Sequence, residues 1–219
     1  MWNPCSLMAS ESTIDKYLRY RALGKALHAK IVTHPAYGEF LVTATTHLGY
    51  RAVRGEIAID ESEIAIVFDY AQYEILQRGK NFIQIYRDST RGHSRQELEI
   101  LEAWSVAQTG LYQIVDADVD DSQVTAQDLT NPDCQVVLTD IGLSLTYSQR
   151  LESGHSTSNV VFLRPLFFKD FVMTSGFACP FPGSEERALL KLWDKYEGST
   201  RFASIARHYK SKGYTLVLN

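Results

Sequence analysis

Phe171-Val172-Met173-Thr174-Ser175-Gly176-Phe177-Ala178-Cys179-Pro180-Phe181 is the stretch that decides the fold. Its odd positions carry Phe, Met, Ser, Phe, Cys and Phe, while its even positions carry Val, Thr, Gly, Ala and Pro. Successive side chains of a strand point to opposite faces, so a period of two reads as a strand. Its bulky face belongs on a core, and its thin face admits a close neighbour. Working outward, residues 111–116, 123–127, 135–139, 143–147 and 160–168 read as further strands. The turn residues between them are Asp118 to Ser122, Asn131-Pro132-Asp133, Asp140 to Gly142, Ser153-Gly154 and Lys169-Asp170. Short strands joined by tight turns predict an antiparallel meander curled into a small barrel or half-barrel. Pro165 cannot donate to a ladder, so its strand is expected to be an edge or to bulge there.

On both sides of this block the period lengthens to that of helices. Ser10 or Ser12 is suited to cap a first helix that runs to about His34 with Ile14, Tyr17, Leu18, Leu27 and Ile31 on its apolar side, and His34-Pro35 stops it. A second helix is expected over residues 38–48. Asp60 and Glu63 match a capping box ahead of Ile64, Val67, Phe68, Ala71 and Ile75, with Gly79 as the stop. Shorter helices carry Phe82, Ile85 and Tyr86, then Leu98, Leu101 and Trp104. After the strands, Leu189, Leu192, Trp193 and Tyr196 share one helical face, and Phe202, Ile205, Ala206 and Tyr209 share another. Tyr214 opens a candidate terminal strand over residues 214–218. The class is therefore α+β: a helical part over residues 11–108, a small antiparallel β domain over 109–181, and C-terminal helices over 182–219 packed on the body. Residues 1–10 read as a poorly ordered extension, with Met8 an alternative start to Met1.

A net charge of -4 over 219 residues gives no global attraction to nucleic acid or anionic lipid. The charge is uneven: residues 106–180 carry three basic and nine acidic side chains, and residues 181–219 carry seven and four. Cys5, Cys134 and Cys179 are an odd set without CxxC spacing, which argues against a disulfide framework or a zinc site. No apolar run approaches the roughly 20 residues that span a bilayer. The opening residues lack the pattern of a signal peptide. A cytoplasmic protein is expected.

Chemical motifs are sparse. Asp116, Asp118, Asp120 and Asp121 resemble the start of a calcium loop, but the turn glycine is Asp121 and the bidentate glutamate is Gln127. No calcium binding is expected there. His28, His34, His47, His93, His155 and His208 show no HxH or HxxxH spacing. Asp140, Ser144 and His155 lie near one another in sequence, yet Ser144 sits in no GxSxG elbow. The last helix offers Arg201, Arg207, Lys210 and Lys212 as candidate phosphate- or partner-facing residues.

The segments LRYRALGKALHAKI (Leu18 to Ile31), FDYAQYEI (Phe68 to Ile75), GKNFIQIY (Gly79 to Tyr86), LTDIGLS (Leu138 to Ser144) and KDFVMTSG (Lys169 to Gly176) are similar to those of a family of uncharacterised bacterial proteins. The β part also resembles the small domain of proteins that end in a metal-binding SEC-C tail. That cysteine-rich tail is missing here, so nothing about metal carries over. The resemblance implies the helical, β, helical order and no catalytic residue.

These readings point first to a non-catalytic binding or adaptor protein with no cofactor and no metal site. Its expected partner is another protein, with nucleic acid less favoured and no membrane. The alternative is a hydrolase or nucleic-acid-processing enzyme whose acidic residues converge only in three dimensions. A deep polar pocket holding at least three of Asp69, Asp116, Asp140, His155 and Asp170 would favour the enzyme.

Overall fold

In the computed structural model, residues 12–50, 52–53, 56–57, 59, 61–152 and 159–214 are described. Among the described residues, eight helices flank a five-stranded antiparallel sheet, which makes the class α+β. Helix α1 spans Thr13–Val32, capped by the Ser12 side chain, which accepts from the Asp15 backbone N–H. Its stripe of Tyr17, Tyr20, Gly24, Leu27 and Ile31 is buried. Helix α2 follows over Tyr37–His47, and a two-residue hairpin, β1 (Ala52–Val53) and β2 (Glu56–Ile57), leads to α3 over Glu61–Asp69. Asp60, half of the expected capping box, lies outside the described residues.

Helix α3 does not run on to Gly79. It widens into a π-helical turn over Tyr70–Glu74 and ends there. Arg78 (φ 52°) and Gly79 (φ 77°) instead close a tight turn with a bridge between Gln77 and Lys80. Two positive-φ residues in succession make the turn that joins short antiparallel pieces, so Gly79 serves a turn and not a helix stop. Helices α4 (Phe82–Ser89) and α5 (Arg95–Val106) each begin with a full capping box, Asn81 with Gln84 and Ser94 with Glu97. Leu98, expected in the core, is exposed, and Ile100, Leu101 and Trp104 carry the buried face of α5.

The sheet consists of β3 (Gly110–Asp118), β4 (Gln123–Asp128), β5 (Gln135–Thr139), β6 (Asn159–Phe167) and β7 (Val172–Phe181), in the order β5-β4-β3-β6-β7. The segment read as a strand over residues 143–147 is helical and lies inside α6 (Ile141–Glu152). The reason is a cap. Asp140 Oδ1 accepts from the Leu143 N–H at 3.1 Å, and its backbone carbonyl accepts from the Ser144 N–H. A carboxylate ahead of a helical turn satisfies donors that a strand would have sent to a neighbour.

Helix α6 lies in the hollow of the curled sheet. Tyr147 packs there with Tyr112, Ile114, Val124, Ala126, Val136, Leu138, Val161 and Leu163. The opposite face of β3, β6 and β7 sends Leu111, Val160, Phe162, Phe177 and Cys179 into a second, larger core shared with the helical parts. So β7 meets helices on both sides. Its bulky odd positions face the large core, while Thr174, Gly176, Ala178 and Pro180 line a hollow of about 80 Å³ with Leu143, Thr146 and Tyr147 of α6. The register of β6 against β7 shifts between Leu163 and Pro165, where the proline removes a ladder donor. The edge strands approach one another, since Thr174 of β7 donates to the Asp140 carboxylate at the end of β5. No hydrogen-bonded ladder joins them. The sheet is an open half-barrel and not a closed barrel.

Helices α7 (Glu186–Lys195) and α8 (Gly198–Ser211) close the large core. Phe202 stacks on Phe177 at 5.2 Å and meets Phe162 and Tyr70 edge-on. Ile205, Ala206 and Tyr209 are buried beside it, so α8 docks on the body as its stripe predicts. The expected terminal strand lies outside the described residues beyond Tyr214.

Candidate functional site

Where α1, α3, its π turn and α5 meet β7 and the start of α6, the packing leaves a cleft of about 980 Å³. That volume is at the upper end of small-molecule sites. Helix α1 forms one wall. Tyr17, Arg21, Gly24, Lys25 and His28 recur at helical spacing on one side of it and all line the cleft. Gly24 lets the Trp104 ring come close, because a Cβ there would stand 3.2 Å from it. The facing wall is apolar, with Ile64, Ala65 and Phe68 of α3, Ile141 and Leu145 of α6, and Met173 and Phe177 of β7.

A buried ion cluster lies at one end. Arg164 is 1% exposed and donates to both oxygens of Asp69, at 2.7 Å (Nη2 to Oδ1) and 3.3 Å (Nε to Oδ2). It also reaches Glu74 Oε1 at 2.6 Å and the Ala107 carbonyl at 2.8 Å, and its guanidinium lies 4.2 Å from the Tyr73 ring centre. Asp69 and Glu74 are five residues apart. The wider π turn, with its i to i+5 period, brings them to one side where an α turn would splay them. Ser175 donates to Asp69 Oδ2 at 3.2 Å, which ties the cluster to β7. Burial would push the Arg164 pKa down, but the two carboxylates outweigh it and hold the guanidinium above its ordinary value. Burial also raises the Tyr73 hydroxyl.

A second polar contact bridges the helical and β parts. Arg21 donates through Nη2 to Asp140 Oδ2 at 2.7 Å and to Thr174 Oγ1 at 3.1 Å, and through Nη1 to the Thr174 carbonyl at 3.0 Å. Gly176, two residues on, has φ +96°, a conformation that side chains rarely adopt. Two turns along α1 from Arg21, His28 Nδ1 stands 3.0 Å from Gln72 Nε2, which also donates to the Tyr37 hydroxyl at 3.3 Å. Amide nitrogens donate, so this arrangement leaves the imidazole proton on Nε2. Burial lowers the His28 pKa from 6.5.

Of the five acidic and histidine candidates, the structure brings Asp69 and Asp140 to the cleft. Asp116 lies in β3, Asp170 pairs with Lys16 at the β6–β7 turn, and His155 is outside the described residues. Ser144 donates within its own helix to the Ile141 carbonyl. Asp118 accepts from the Asp121 N–H in the β3–β4 turn, and no group of three metal-ligating side chains is found among the described residues. The basic candidates of the C-terminal region are engaged elsewhere. Arg201 lies 4.3 Å from the Trp193 ring centre and donates to the Trp193 and Tyr196 carbonyls, and Arg207 donates to the Ala203 carbonyl. Lys210 pairs with Glu63 and Lys212 with Glu185. None of the four lines the cleft.

Sequence reasoning passed over Arg164, Arg21, Lys25, His28, Gln72 and Ser175 as members of one site. A signal existed for Arg164, a lone charge in the apolar run Val160 to Phe168, which demands a buried partner. Among the described residues, no helix is long and apolar enough to cross a membrane. No curated protein and no solved structure matches the chain. The chain belongs to a family of unknown function, DUF7986, whose model matches residues 11–219.

Proposed function

We propose that this is a non-catalytic binding protein that takes a small amphipathic molecule in the cleft between α1 and the β7–α6 wall. The observation that carries this reading is the pairing of a large aromatic-lined cavity with a few polar groups, Arg21, Lys25 and His28 of α1 among them. π turns recur at functional sites, and the one that ends α3 supplies Gln72 and Tyr73 to the lining. The enzyme reading needs a carboxylate free to exchange a proton. Both cleft carboxylates instead lie against arginines. An adaptor role follows if a protein partner reads the loaded cleft. The resemblance and the cysteine usage support a bacterial, cytoplasmic setting.

Thermal-shift screening against a small-molecule library tests the reading, run in parallel on Leu145→Trp. Leu145 is 44% exposed on the apolar wall, so a larger ring there fills the cleft without entering the core. A ligand at one hundred times its Kd stabilises by about 2.7 kcal/mol. The expected result is a set of amphipathic compounds that raise the Tm of the wild type and not that of the variant. Equal shifts in both proteins, or none in either, would count against the cleft.

A further inference from the structure

The charges around the cleft are unequal in how they are used. Asp140 is held by Arg21 and Thr174, and Asp69 by Arg164 and Ser175. Glu74, the third carboxylate of the buried cluster, does not line the cleft and also faces Arg164. Arg21 spends its donors on Asp140, Thr174 and Tyr17. Lys25 is different. It lines the cleft one turn beyond Arg21 and has no carboxylate or hydrogen-bond partner among the described residues. His28, three residues further on, turns Nδ1 to Gln72, and its Nε2 has no hydrogen-bond partner among the described residues. The apolar lining is Ile64, Ala65, Phe68, Leu145, Met173 and Phe177, and the two carboxylates that reach the cleft, Asp69 and Asp140, already lie against Arg164 and Arg21.

Resting on the cleft being a ligand site, we propose that its ligand is an organic anion, a carboxylate on an apolar or aromatic body. The body lies against Phe68, Leu145 and Phe177, and the carboxylate sits on the α1 ridge at Lys25 beside His28. A cation next to low-dielectric walls attracts an anion more strongly than the same lysine on an open surface. An apolar body fills the space that the aromatic wall leaves, and displacing water from that wall supplies most of the affinity. The two requirements together select anions that carry a body and exclude inorganic ions.

A matched pair of fluorescent probes tests this. 1-Anilinonaphthalene-8-sulfonate carries an anionic group on an arylamine body, the sulfonate standing in for a carboxylate, and N-phenyl-1-naphthylamine has the same body without charge. Both are titrated into the wild type, Lys25→Met and Leu145→Trp. Lys25 is exposed, and methionine keeps most of its length, so this variant folds as the wild type does. The expected result is that the wild type prefers the anionic probe by about fivefold, the upper range of a partly exposed ion pair. That preference disappears in Lys25→Met, whose affinity for the neutral probe is unchanged. Equal binding of the two probes, blocked by Leu145→Trp, would overturn the anion assignment and leave the cleft reading standing. An anion preference that survives in Lys25→Met would overturn the role of Lys25. Binding of neither probe, or binding indifferent to Leu145→Trp, would overturn both proposals.

Discussion

Two arginine–aspartate pairs lie along the cleft, and they differ in what surrounds them. Arg164 with Asp69 is closed off from solvent, at 1% and 5% side-chain exposure, and a third charge, Glu74, shares the guanidinium. Arg21 with Asp140 keeps the arginine 22% exposed and adds a neutral hydroxyl from Thr174. In the first pair each charge depends on the other, because the protein interior cannot solvate what is left behind. In the second pair water can replace a lost partner on the arginine side. Equal chemistry therefore yields a rivet at one end of the cleft and a latch along its side. The rivet fixes the π turn, the end of α5 and strand β6 together. The latch joins α1 to the start of α6 and the even face of β7.

The largest expected effect is on the rivet. Asp69→Ala leaves Arg164 buried with Glu74 as its remaining carboxylate and frees the Ser175 hydroxyl. Breaking a buried pair in this way costs about 3–5 kcal/mol. Urea denaturation should show the midpoint falling with little change of slope. A loss under 1 kcal/mol would mean that water reaches Arg164, and the distinction between the pairs would collapse.

On the latch the same substitution should cost less. Asp140→Ala removes the cap on Leu143 together with the acceptor for Arg21 and Thr174. A lost cap and an ion pair exposed on its arginine side amount to about 2 kcal/mol. Asp140→Asn keeps an oxygen for the cap and should recover about half of that. If Asn is no better than Ala, the carboxylate acts through its charge on Arg21 and not through the helix start. Equal losses for Asp69→Ala and Asp140→Ala would break the comparison outright.

Gly176 sharpens it further. Its φ of +96° places β7 where Arg21 can reach the Thr174 carbonyl. A Cβ would find Arg21 Nη1 at 3.5 Å, an ordinary contact, so the cost of Gly176→Ala is backbone strain of about 1 kcal/mol. Hydrogen exchange of the α6 amides should quicken in that variant if the latch loosens, while the π turn stays protected. Quickening at both ends would show that the two pairs act as a single unit.

The rivet and the latch were also unequally legible in the sequence. The β7 parity gave its two faces directly, since a period of two is local. The docking of α8 followed from Phe202, Ile205, Ala206 and Tyr209 in the same way. Helix α6 looks like a strand after a turn because Asp140, Ile141 and Gly142 are turn residues, and the capping role of Asp140 is visible only once the Leu143 amide is placed. The π turn was hidden for a further reason. Asp69 and Glu74, which the turn brings together, meet Arg164 ninety-five and ninety residues away, and no local pattern records so distant a partner. The cleft is the same problem compounded, as its lining comes from α1, α3, the π turn, α5, α6, β6 and β7.

The smallest expected effect concerns His28, two turns along α1 from Arg21. Burial disfavours its imidazolium, so its folded pKa lies below 6.5. Above 6.5 the ring is neutral in both the folded and the unfolded chain and contributes no pH dependence. As the pH falls through 6.5 the unfolded chain takes a proton that the folded chain declines, and stability falls with it. The decline ends once the pH passes the lowered folded value, below which both states hold the proton. The difference in unfolding free energy between the wild type and His28→Gln, followed from neutral pH downward, should narrow or reverse across that window and level off below it. Proton NMR of the ring in the folded protein should place its inflection under 6.5. An anion seated on the α1 ridge would favour the imidazolium, so adding 1-anilinonaphthalene-8-sulfonate should move that inflection upward. A His28 inflection that stays fixed as the probe saturates would separate this histidine from the anion site and leave Lys25 to hold the charge alone.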